Sequence, residues 1–363
     1  MTTPASRTTA APAIEVDAGL PERSIHLDLT IGAAETTAVV GPNGAGKSTL
    51  VQLVAGGLKP GVGHVRIDGE TVTSAGVHVP PHRRRCSLVG QRPLLFPHLS
   101  VLDNVAFGPV SRGVPRRAAR RRAAAELEQI GVGDLAPRKP STLSGGQAQR
   151  VAVARALAID PEIVLLDEPF AALDATVAPA LRLHLRERLT GITTVLVTHD
   201  FLDVVSLASS VIELADGRVV DSGSVDAMYA RPTTAFLAQF AGLDLLRGTA
   251  TGDTLELAGG VIVTGTEAET GYRGPARAAF PPSAVAVYRA APEGSPRNAL
   301  PASVTAVEDR RPVQRVTLEI AGQAVDADLT PAAVRDLELA PGAQVFAVIK
   351  ATEISIYPAP ATG

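Results

Sequence analysis

The chain has 363 residues, of which 45% are hydrophobic and 20% charged, and its net charge is −3 at pH 7. This length suffices for two domains, and the nearly balanced charge argues against a protein that coats nucleic acid, because a phosphate backbone is normally met by a strongly basic face. The one cysteine, Cys86, excludes a disulfide within the chain and fits a reducing compartment.

The N-terminal residues 1–13 are small and polar, and we expect them to form a flexible leader. No stretch of the chain approaches the ~20 continuous apolar residues that a membrane helix needs, and the first residues lack the apolar segment of a signal peptide. The sequence therefore predicts a chain that does not cross a membrane by itself.

Residues 14–243 alternate short runs rich in Val and Leu with segments of helical periodicity, which favours parallel strands joined by helical crossovers. The clearest buried strands are predicted at 36–40, 163–166 and 194–198. Each is followed by polar residues, at the carboxyl ends of strands where α/β proteins bind ligands. We expect an α/β domain with its site at that edge of the sheet.

A phosphate-binding loop is predicted directly after the first of these strands, where GPNGAGKS matches the pattern G-x-x-x-x-G-K-[ST]. Its glycines let backbone N–H groups turn inward on phosphate oxygens, and the following helix adds its N-terminal dipole. We expect Lys47 to reach the β- and γ-phosphates of ATP and the Ser48 hydroxyl to bind Mg²⁺. The predicted nucleotide ligands of this loop are Gly41, Pro42, Asn43, Gly44, Ala45, Gly46, Lys47, Ser48 and Thr49.

The densest basic run of the chain lies at 115–130, PRRAARRRAAAELEQI. We predict a helix whose arginine-rich face is turned toward solvent, because runs of like charge are usually solvated.

Two adjacent carboxylates follow the strand at 163–166, in the sequence IVLLDEP. Asp167 is placed to hold the water shell of the metal, and Glu168 to polarise an attacking water. A strand that delivers two carboxylates to the sheet edge that carries the phosphate loop predicts hydrolysis of Mg-ATP.

The order of the motifs resembles that of ATP-binding-cassette (ABC) ATPases. The phosphate loop is followed by LVGQ, then by LSGGQAQRVAVARAL at 143–157, the Asp-Glu strand, AALD and LVTHD, all in the order typical of the family. The resemblance implies the fold of a P-loop NTPase cassette with a helical subdomain. Beyond the phosphate loop and the carboxylate pair, the functional residues that it assigns are Gln91, Ser144, Gly145, Gly146, Gln147, Asp174 and His199.

By that resemblance, Gln91 contacts Mg²⁺ and senses a membrane partner, and His199 contacts the γ-phosphate. The signature residues 144–147 cap the γ-phosphate of ATP that is held by the opposite subunit, and Asp174 couples the two sites. The family pattern therefore implies a homodimer in which each phosphate loop faces the signature of the other chain.

One feature departs from the family. Many relatives stack adenine on an aromatic residue upstream of the phosphate loop, but residues 14–32 contain no Tyr, Phe or Trp. His26 is the one candidate substitute, so the choice of base is left open.

The chain has one cassette and no fused membrane domain, which resembles the detached nucleotide-binding subunit of bacterial importers. The resemblance implies a peripheral protein on the cytoplasmic face of the membrane, bound to permease subunits and, through them, to a solute-binding protein. No nucleic-acid partner is expected. The apolar segment 91–110 is predicted to form the docking groove for the permease, with Leu95, Phe96 and Leu99 exposed.

After residue 243 the sequence changes to short alternating runs broken by Gly and Pro, which predicts a small all-β domain over 244–363 with an OB-like fold. One helix is predicted inside it, with Thr330 as N-cap and Pro331 at its first position.

This tail resembles the TOBE domain of importer ATPases and molbindin-type modules, in which a Ser-x-Arg-Asn segment and a Lys-Ala segment surround an oxyanion. The matching segments are at 295–308 and 347–356, and we expect the second to place its lysine within the last strand. A tetrahedral dianion needs cationic and hydroxyl donors, although solvated barrel residues would also explain the basic ones. The candidate oxyanion ligands are Ser295, Arg297, Asn298, Lys350 and Thr352.

The sequence thus predicts an ATPase that drives uptake of a small solute, with molybdate or tungstate implied by the tail. Two alternatives stay open: an importer of sulfate, ferric iron or polyamine, and a soluble ABC ATPase that acts on nucleic acid or ribosomes.

Overall fold

The computed structural model describes residues 13–294 and 296–360. They form two compact units, which divide between Val225 and Asp226.

The predicted leader lies mostly outside the described residues, which exclude 1–12. Ala13 is described, and here the prediction was wrong by one residue. Ala13 is buried, and its N–H donates to the carbonyl of Ile31 at 2.9 Å, so it belongs to the first unit.

Over the described residues, the first unit is an α/β unit of ten strands and six α-helices. Its strands are β1 (Ile14–Leu20), β2 (Ile25–Ile31), β3 (Thr36–Val40), β4 (Val62–Ile67), β5 (Glu70–Thr73), β6 (Cys86–Val89), β7 (Ile163–Asp167), β8 (Thr193–Val197), β9 (Ser210–Ala215) and β10 (Arg218–Ser224). Its helices are α1 (Lys47–Ala55), α2 (Val101–Ser111), α3 (Arg116–Gln129), α4 (Gly145–Leu157), α5 (Ala178–Arg188) and α6 (Phe201–Leu207).

Two sheets organise this unit. The larger has the order β10-β9-β3-β8-β7-β6 and is parallel except for β10. The smaller, β2-β1-β4-β5, is antiparallel. Every residue of β3, β7 and β8 is buried, as expected for parallel strands covered on both faces. One core joins the large sheet to α1 and the small sheet, and a second core joins it to α2, α3, α4 and α5.

A buried arginine fixes the far end of the helix that follows the phosphate loop. Arg84 donates to the carbonyl oxygens of Leu53 and Val54 at 2.8 and 2.7 Å, at the C-terminus of α1, and also to Val79 and Thr73. A cation at the C-terminal end of a helix is favourable, so this contact holds α1 against the strands that flank it.

The second unit is almost entirely β. Its helices are α7 (Val225–Ala230), which starts at the boundary, α8 (Ala235–Phe240) and α9 (Pro331–Asp336). Its strands are β11 (Asp244–Thr251), β12 (Thr254–Glu256), β13 (Ile262–Thr264), β14 (Thr266–Glu267), β15 (Arg273–Phe280), β16 (Val285–Tyr288), β17 (Asn298–Arg310), β18 (Val313–Ile320), β19 (Gln323–Leu329), β20 (Gln344–Ile349) and β21 (Ser355–Pro358).

These strands form two sheets, β13-β12-β11-β15-β21-β14 and β16-β20-β17-β18-β19, which share one apolar core. All pairings are antiparallel apart from the short one between β14 and β21. The predicted helix is confirmed, because the Thr330 hydroxyl accepts from the N–H of Ala333 and Pro331 opens α9. The two compact units divide 18 residues before the boundary predicted at 243, since α8 contacts β11.

Over the described residues, no helix is both long enough and apolar enough to cross a membrane.

Candidate functional site

The phosphate loop connects β3 to α1 and has the backbone of an anion cradle. Gly41, Gly44 and Gly46 have φ values of 144°, 83° and 105°, which favour glycine. A Cβ on Gly41 would lie 2.0 Å from the carbonyl oxygen of Leu214 on β9, so no larger residue fits there. The shape of the loop therefore depends on backbone conformations, and on a close backbone contact at Gly41, that favour glycine.

Lys47 opens α1 and reaches back over the loop. Its Nζ donates to the carbonyl oxygens of Gly41 and Pro42 at 2.7 and 2.9 Å. Burial lowers the pKa of Lys47, and the nearby charges of Glu168 and Asp167 oppose that shift. The ammonium group therefore lies over the phosphate loop.

Asp167 ends β7 and is buried beside Ser48, with which its side chain forms a hydrogen bond. Burial raises the pKa of Asp167, and the Ser48 hydrogen bond and the Lys47 charge partly counteract this. Among the described residues, no hydrogen-bond partner meets Asp167 Oδ1. A buried carboxylate with a free oxygen next to a hydroxyl is a donor set that suits Mg²⁺, which prefers oxygen ligands.

Glu168 follows directly and has the left-handed backbone conformation, with φ 53°. Such a conformation costs a non-glycine residue on the order of 1 kcal/mol, and here the Glu168 N–H donates to the carbonyl of Val197 at 2.9 Å. His199 Nδ1 lies 3.7 Å from Glu168 Oε1. The two predicted catalytic side chains thus stand together beyond the ends of β7 and β8.

A pocket of about 250 Å³ is lined by the phosphate loop together with Gln91 and Glu168. The structure therefore brings residues from four separate segments to one site, counting His199 beside Glu168. None of the described residues that line this pocket belongs to the signature at 144–147.

The signature lies at the start of α4. Ser144 caps the helix by accepting from the N–H of Gln147 at 3.3 Å, and the Gln147 side chain accepts from the N–H of Ser144 at 3.0 Å. A Cβ on Gly146 would lie 2.9 Å from the carbonyl of Ala172, so this glycine permits a close backbone approach. Asp174, just beyond, is exposed. These groups form a second helix N-terminus suited to an anion.

The first unit provides an apolar neighbour for the loop that the sequence did not indicate. Ile25 on β2 lies beside Gly46, 3.7 Å from where a Cβ on that glycine would stand. His26, the predicted substitute for an aromatic residue, has its ring mainly exposed, 3.9 Å from Asp17 Oδ1. An isoleucine at the start of a strand belongs to no recognisable motif, so the sequence alone could not identify Ile25 as a neighbour of the loop.

A groove of about 760 Å³ lies between α2 and α3. Its apolar lining includes Leu99 and Phe107, and its basic lining comes from the arginines of α3 between residues 116 and 121. One expectation is corrected here. The exposed apolar side chains are Leu94 (76%) and Phe107 (48%), whereas those predicted at 95, 96 and 99 are half-buried. The arginine-rich face of α3 is exposed as predicted, and part of it forms one wall of this groove.

In the second unit, four of the five predicted oxyanion ligands lie at one end of the strand pair β17–β20, while Ser295 lies outside the described residues. Asn298 pairs with Ile349, and Arg297 and Lys350 each lie one residue beyond this pair. Of these four residues, Arg297, Lys350 and Thr352 are exposed and Asn298 is buried. Lys350 follows β20, and the expectation that it lies within the last strand was wrong, because a short 3-10 turn that includes Thr352 begins there.

Asn298 is fully buried, and its amide is already used by the protein. It accepts from the N–H of Thr264 at 2.7 Å and donates to the carbonyls of Thr264 and Ile349 at 2.8 and 3.0 Å. In this conformation Asn298 ties strands together, and the groups that remain open to an anion are the exposed ones.

The ABC transporter family model matches residues 25–171, and the TOBE domain model matches residues 294–356. A Mycobacterium tuberculosis protein described as "Molybdenum import ATP-binding protein ModC" is 42% identical over 96% of this chain and 98% of its own length. From the same organism, a "Sulfate/thiosulfate import ATP-binding protein CysA" is 44% identical, but over 60% of this chain and 61% of its own length.

Among solved structures, a dimer of the ATP-binding cassette MJ0796 bound to ADP and Pi is 33% identical, with a TM-score of 0.50. The match covers 55% of this chain and 89% of the MJ0796 chain.

Proposed function

The chain belongs to the ABC transporter family of ATP-binding proteins, and we propose that it is the ATPase subunit of a molybdate or tungstate importer. The choice of solute rests on how much of this chain each relative matches. The molybdenum-import relative matches along nearly the whole chain, including the second unit, whereas the sulfate relative matches over 60% of it. Because the similarity to the molybdenum-import relative extends through the second unit, it favours molybdate over sulfate.

Hydrolysis in this proposal uses the groups gathered at the end of the large sheet. The N–H groups of the phosphate loop and Lys47 bind the β- and γ-phosphates. Ser48, Asp167 and Gln91 would hold Mg²⁺, which neutralises phosphate charge when bound. Glu168 orients and polarises the attacking water, and His199 donates to a γ-phosphate oxygen.

A homodimer completes this site. The phosphate loop and the signature are both helix N-termini suited to an anion, yet the signature is not part of the pocket that the loop lines. Two copies related by a two-fold axis would each lend residues 144–147 to the ATP held by the other. The solved MJ0796 relative is dimeric, which supports this arrangement.

The groove between α2 and α3 is proposed to receive a cytoplasmic helix of the permease. Its apolar lining and basic wall suit a short amphipathic helix. Phe107→Asp should release the chain from permease subunits in detergent and leave the ATPase rate of the isolated chain unchanged. Leu183→Asp, which changes another exposed apolar residue, on α5, is the matched control. Retention of the permease by the Phe107 variant would reject the groove as the docking site.

The exposed donors of the second unit are proposed to bind the transported oxyanion and so to report its concentration inside the cell. Arg297 and Lys350 each lie one residue beyond the Asn298–Ile349 pair and can offer charge-assisted hydrogen bonds to a dianion. Binding there would let the cell adjust import to supply.

Uptake of labelled molybdate tests the function as a whole. A strain that lacks its own molybdate-import and sulfate-import ATPases receives this chain together with the permease and binding-protein subunits with which the chain works. We expect the parental chain, but not Glu168→Gln, to restore uptake at nanomolar molybdate, with labelled sulfate uptake as the control. Restoration of sulfate uptake alone would make sulfate the solute and overturn the proposal.

A further inference from the structure

The segment that carries His199 is held from both sides by residues outside the proposed reaction. Thr198 is buried, and its hydroxyl donates to Asp203 Oδ2 at 2.6 Å and accepts from the N–H of Asp200 at 3.1 Å. Asp200 also caps the start of α6. The imidazole itself is 70% exposed, so its position is set by the backbone on either side.

Arg182 on α5 ties this segment to the rest of the site. Its Nε donates to Asp203 Oδ1 and a terminal nitrogen donates to Asp200 Oδ2, both at 2.7 Å. The guanidinium also lies 5.2 Å from the centre of the Phe170 ring, two residues after Glu168. With only 14% of its side chain exposed, Arg182 joins α5, the start of α6 and the segment that follows β7.

The same groups surround a second pocket of about 420 Å³, which Glu168 and His199 also line. Burial raises the pKa of Asp203, and the hydrogen bonds from Thr198 and Arg182 counteract this. The hydrogen bonds from Arg182 and Thr198 therefore hold the Asp203 carboxyl in place.

We propose that Arg182 is a positioning residue for ATP hydrolysis, which fixes the His199 segment relative to Glu168. The proposal rests on the proposed roles of those two residues. Arginine suits the task because its planar fork can meet two carboxylates and stack on a ring at the same time, whereas lysine offers a single point charge.

The test is a double-mutant cycle on the full chain, with the rate and the KM for ATP measured separately. We expect Arg182→Lys to lower kcat about tenfold and to leave KM within about twofold, because nucleotide binding depends on the phosphate loop. His199→Ala should lower kcat by about 10²-fold. If Arg182 acts through His199, the double variant should fall no further than His199→Ala alone.

Arg188→Lys is the matched control, because Arg188 lies on the same helix and its guanidinium bonds a different carboxylate, Glu126, at 2.7 Å. Any loss that it causes should multiply with that of His199→Ala. Asp200→Asn removes one arm of the Arg182 fork while keeping an oxygen for the cap, so it should reproduce Arg182→Lys. If Arg182→Lys unfolds below the assay temperature, Asp200→Asn takes its place in the cycle.

Three results would overturn the proposal, and they differ in whether they also reject the proposed role of His199. Multiplicative losses of Arg182→Lys and His199→Ala, or an unchanged kcat in Arg182→Lys, would reject the positioning role alone. An unchanged kcat in His199→Ala would reject the proposed role of His199 and the Arg182 proposal together.

Discussion

The phosphate site of the first unit and the Arg297–Lys350 end of the second unit both gather residues that are distant in sequence, but only the first is already arranged for its ligand. The phosphate loop has its glycines in the required conformations, and Lys47 lies over it. At the Arg297–Lys350 end of the second unit, the Asn298 amide is hydrogen-bonded to backbone groups of neighbouring strands, and the remaining donors are exposed.

The two sites differ in how much of the protein must become ordered when the ligand binds. A preorganised cradle loses little entropy when an anion enters, whereas two exposed, flexible side chains must be fixed at that moment. We therefore expect the first site to depend on single residues and the second to depend on several weaker contacts.

The largest effect is expected at Glu168. Glu168→Gln should lower the rate of ATP hydrolysis by about 10³-fold, because the amide cannot polarise water as a carboxylate does. ATP binding should change by no more than about threefold, since the phosphate loop is intact. Glu162→Gln, an exposed acid before β7, is the control and should keep the parental rate. A Glu168 variant with parental turnover would remove this residue from catalysis.

Lys47 should act on binding instead. Lys47→Ala removes one charge-assisted donor from the phosphates and should weaken ATP binding by about 10–100-fold, as measured by titration with a fluorescent ATP analogue. Lys59→Ala changes an exposed lysine just after α1 and should bind ATP like the parent. Equal affinities for the parent and the Lys47 variant would contradict the cradle described here.

The second unit should respond more gradually. Arg297→Ala or Lys350→Ala alone should weaken molybdate binding by about tenfold each, while the double variant should show none in calorimetric titration of the full chain. Sulfate should bind much more weakly than molybdate. Absence of molybdate binding by the parental chain would leave the second unit without an oxyanion role.

The smallest effect is a pH dependence of stability in the second unit. Burial raises the pKa of Asp244 from 3.8 to about 7, and its Oδ1 accepts from the N–H of Asp326 at 2.9 Å. The folded unit therefore holds a proton that the unfolded chain releases above its lower pKa. Because of this linkage, stability is fully present below the unfolded pKa and declines as pH rises toward about 7.

Asp244→Asn keeps the acceptor for Asp326 and removes the charge. The melting temperature of the second unit should then fall less than in the parent between about pH 5 and about pH 8, by a few degrees. Asp253→Asn, at an exposed position of the same unit, should follow the parent. A parental pH profile in Asp244→Asn would show that this carboxyl is not protonated in the folded unit.

Much of the fold was readable from the sequence because the evidence lies in short segments. The buried runs at β3, β7 and β8 and the cap at Thr330 are local patterns, and the structure confirms them. Parallel strands bring their carboxyl ends to one edge, so the proximity of Lys47, Asp167 and His199 also followed.

Contacts between elements could not be read in the same way. No spacing along the chain connects Arg182 with Asp200 and Asp203, because the two helices meet only through packing. Likewise, the basic run of α3 looks solvated in isolation, and its share in the groove depends on α2 lying beside it. The internal role of Asn298 is set by register with Ile349, which the sequence does not specify.

The composite ATP site is tested most directly by the molecular mass of Glu168→Gln, measured by light scattering after size exclusion with and without Mg-ATP. We predict a monomer without nucleotide and a dimer with two ATP molecules when it is present. Adding Ser144→Arg, with folding checked by thermal melting, should return the protein to a monomer, because in the proposed dimer that signature residue faces the partner's ATP. A chain that stays monomeric in ATP, or a dimer that survives Ser144→Arg, would contradict the account.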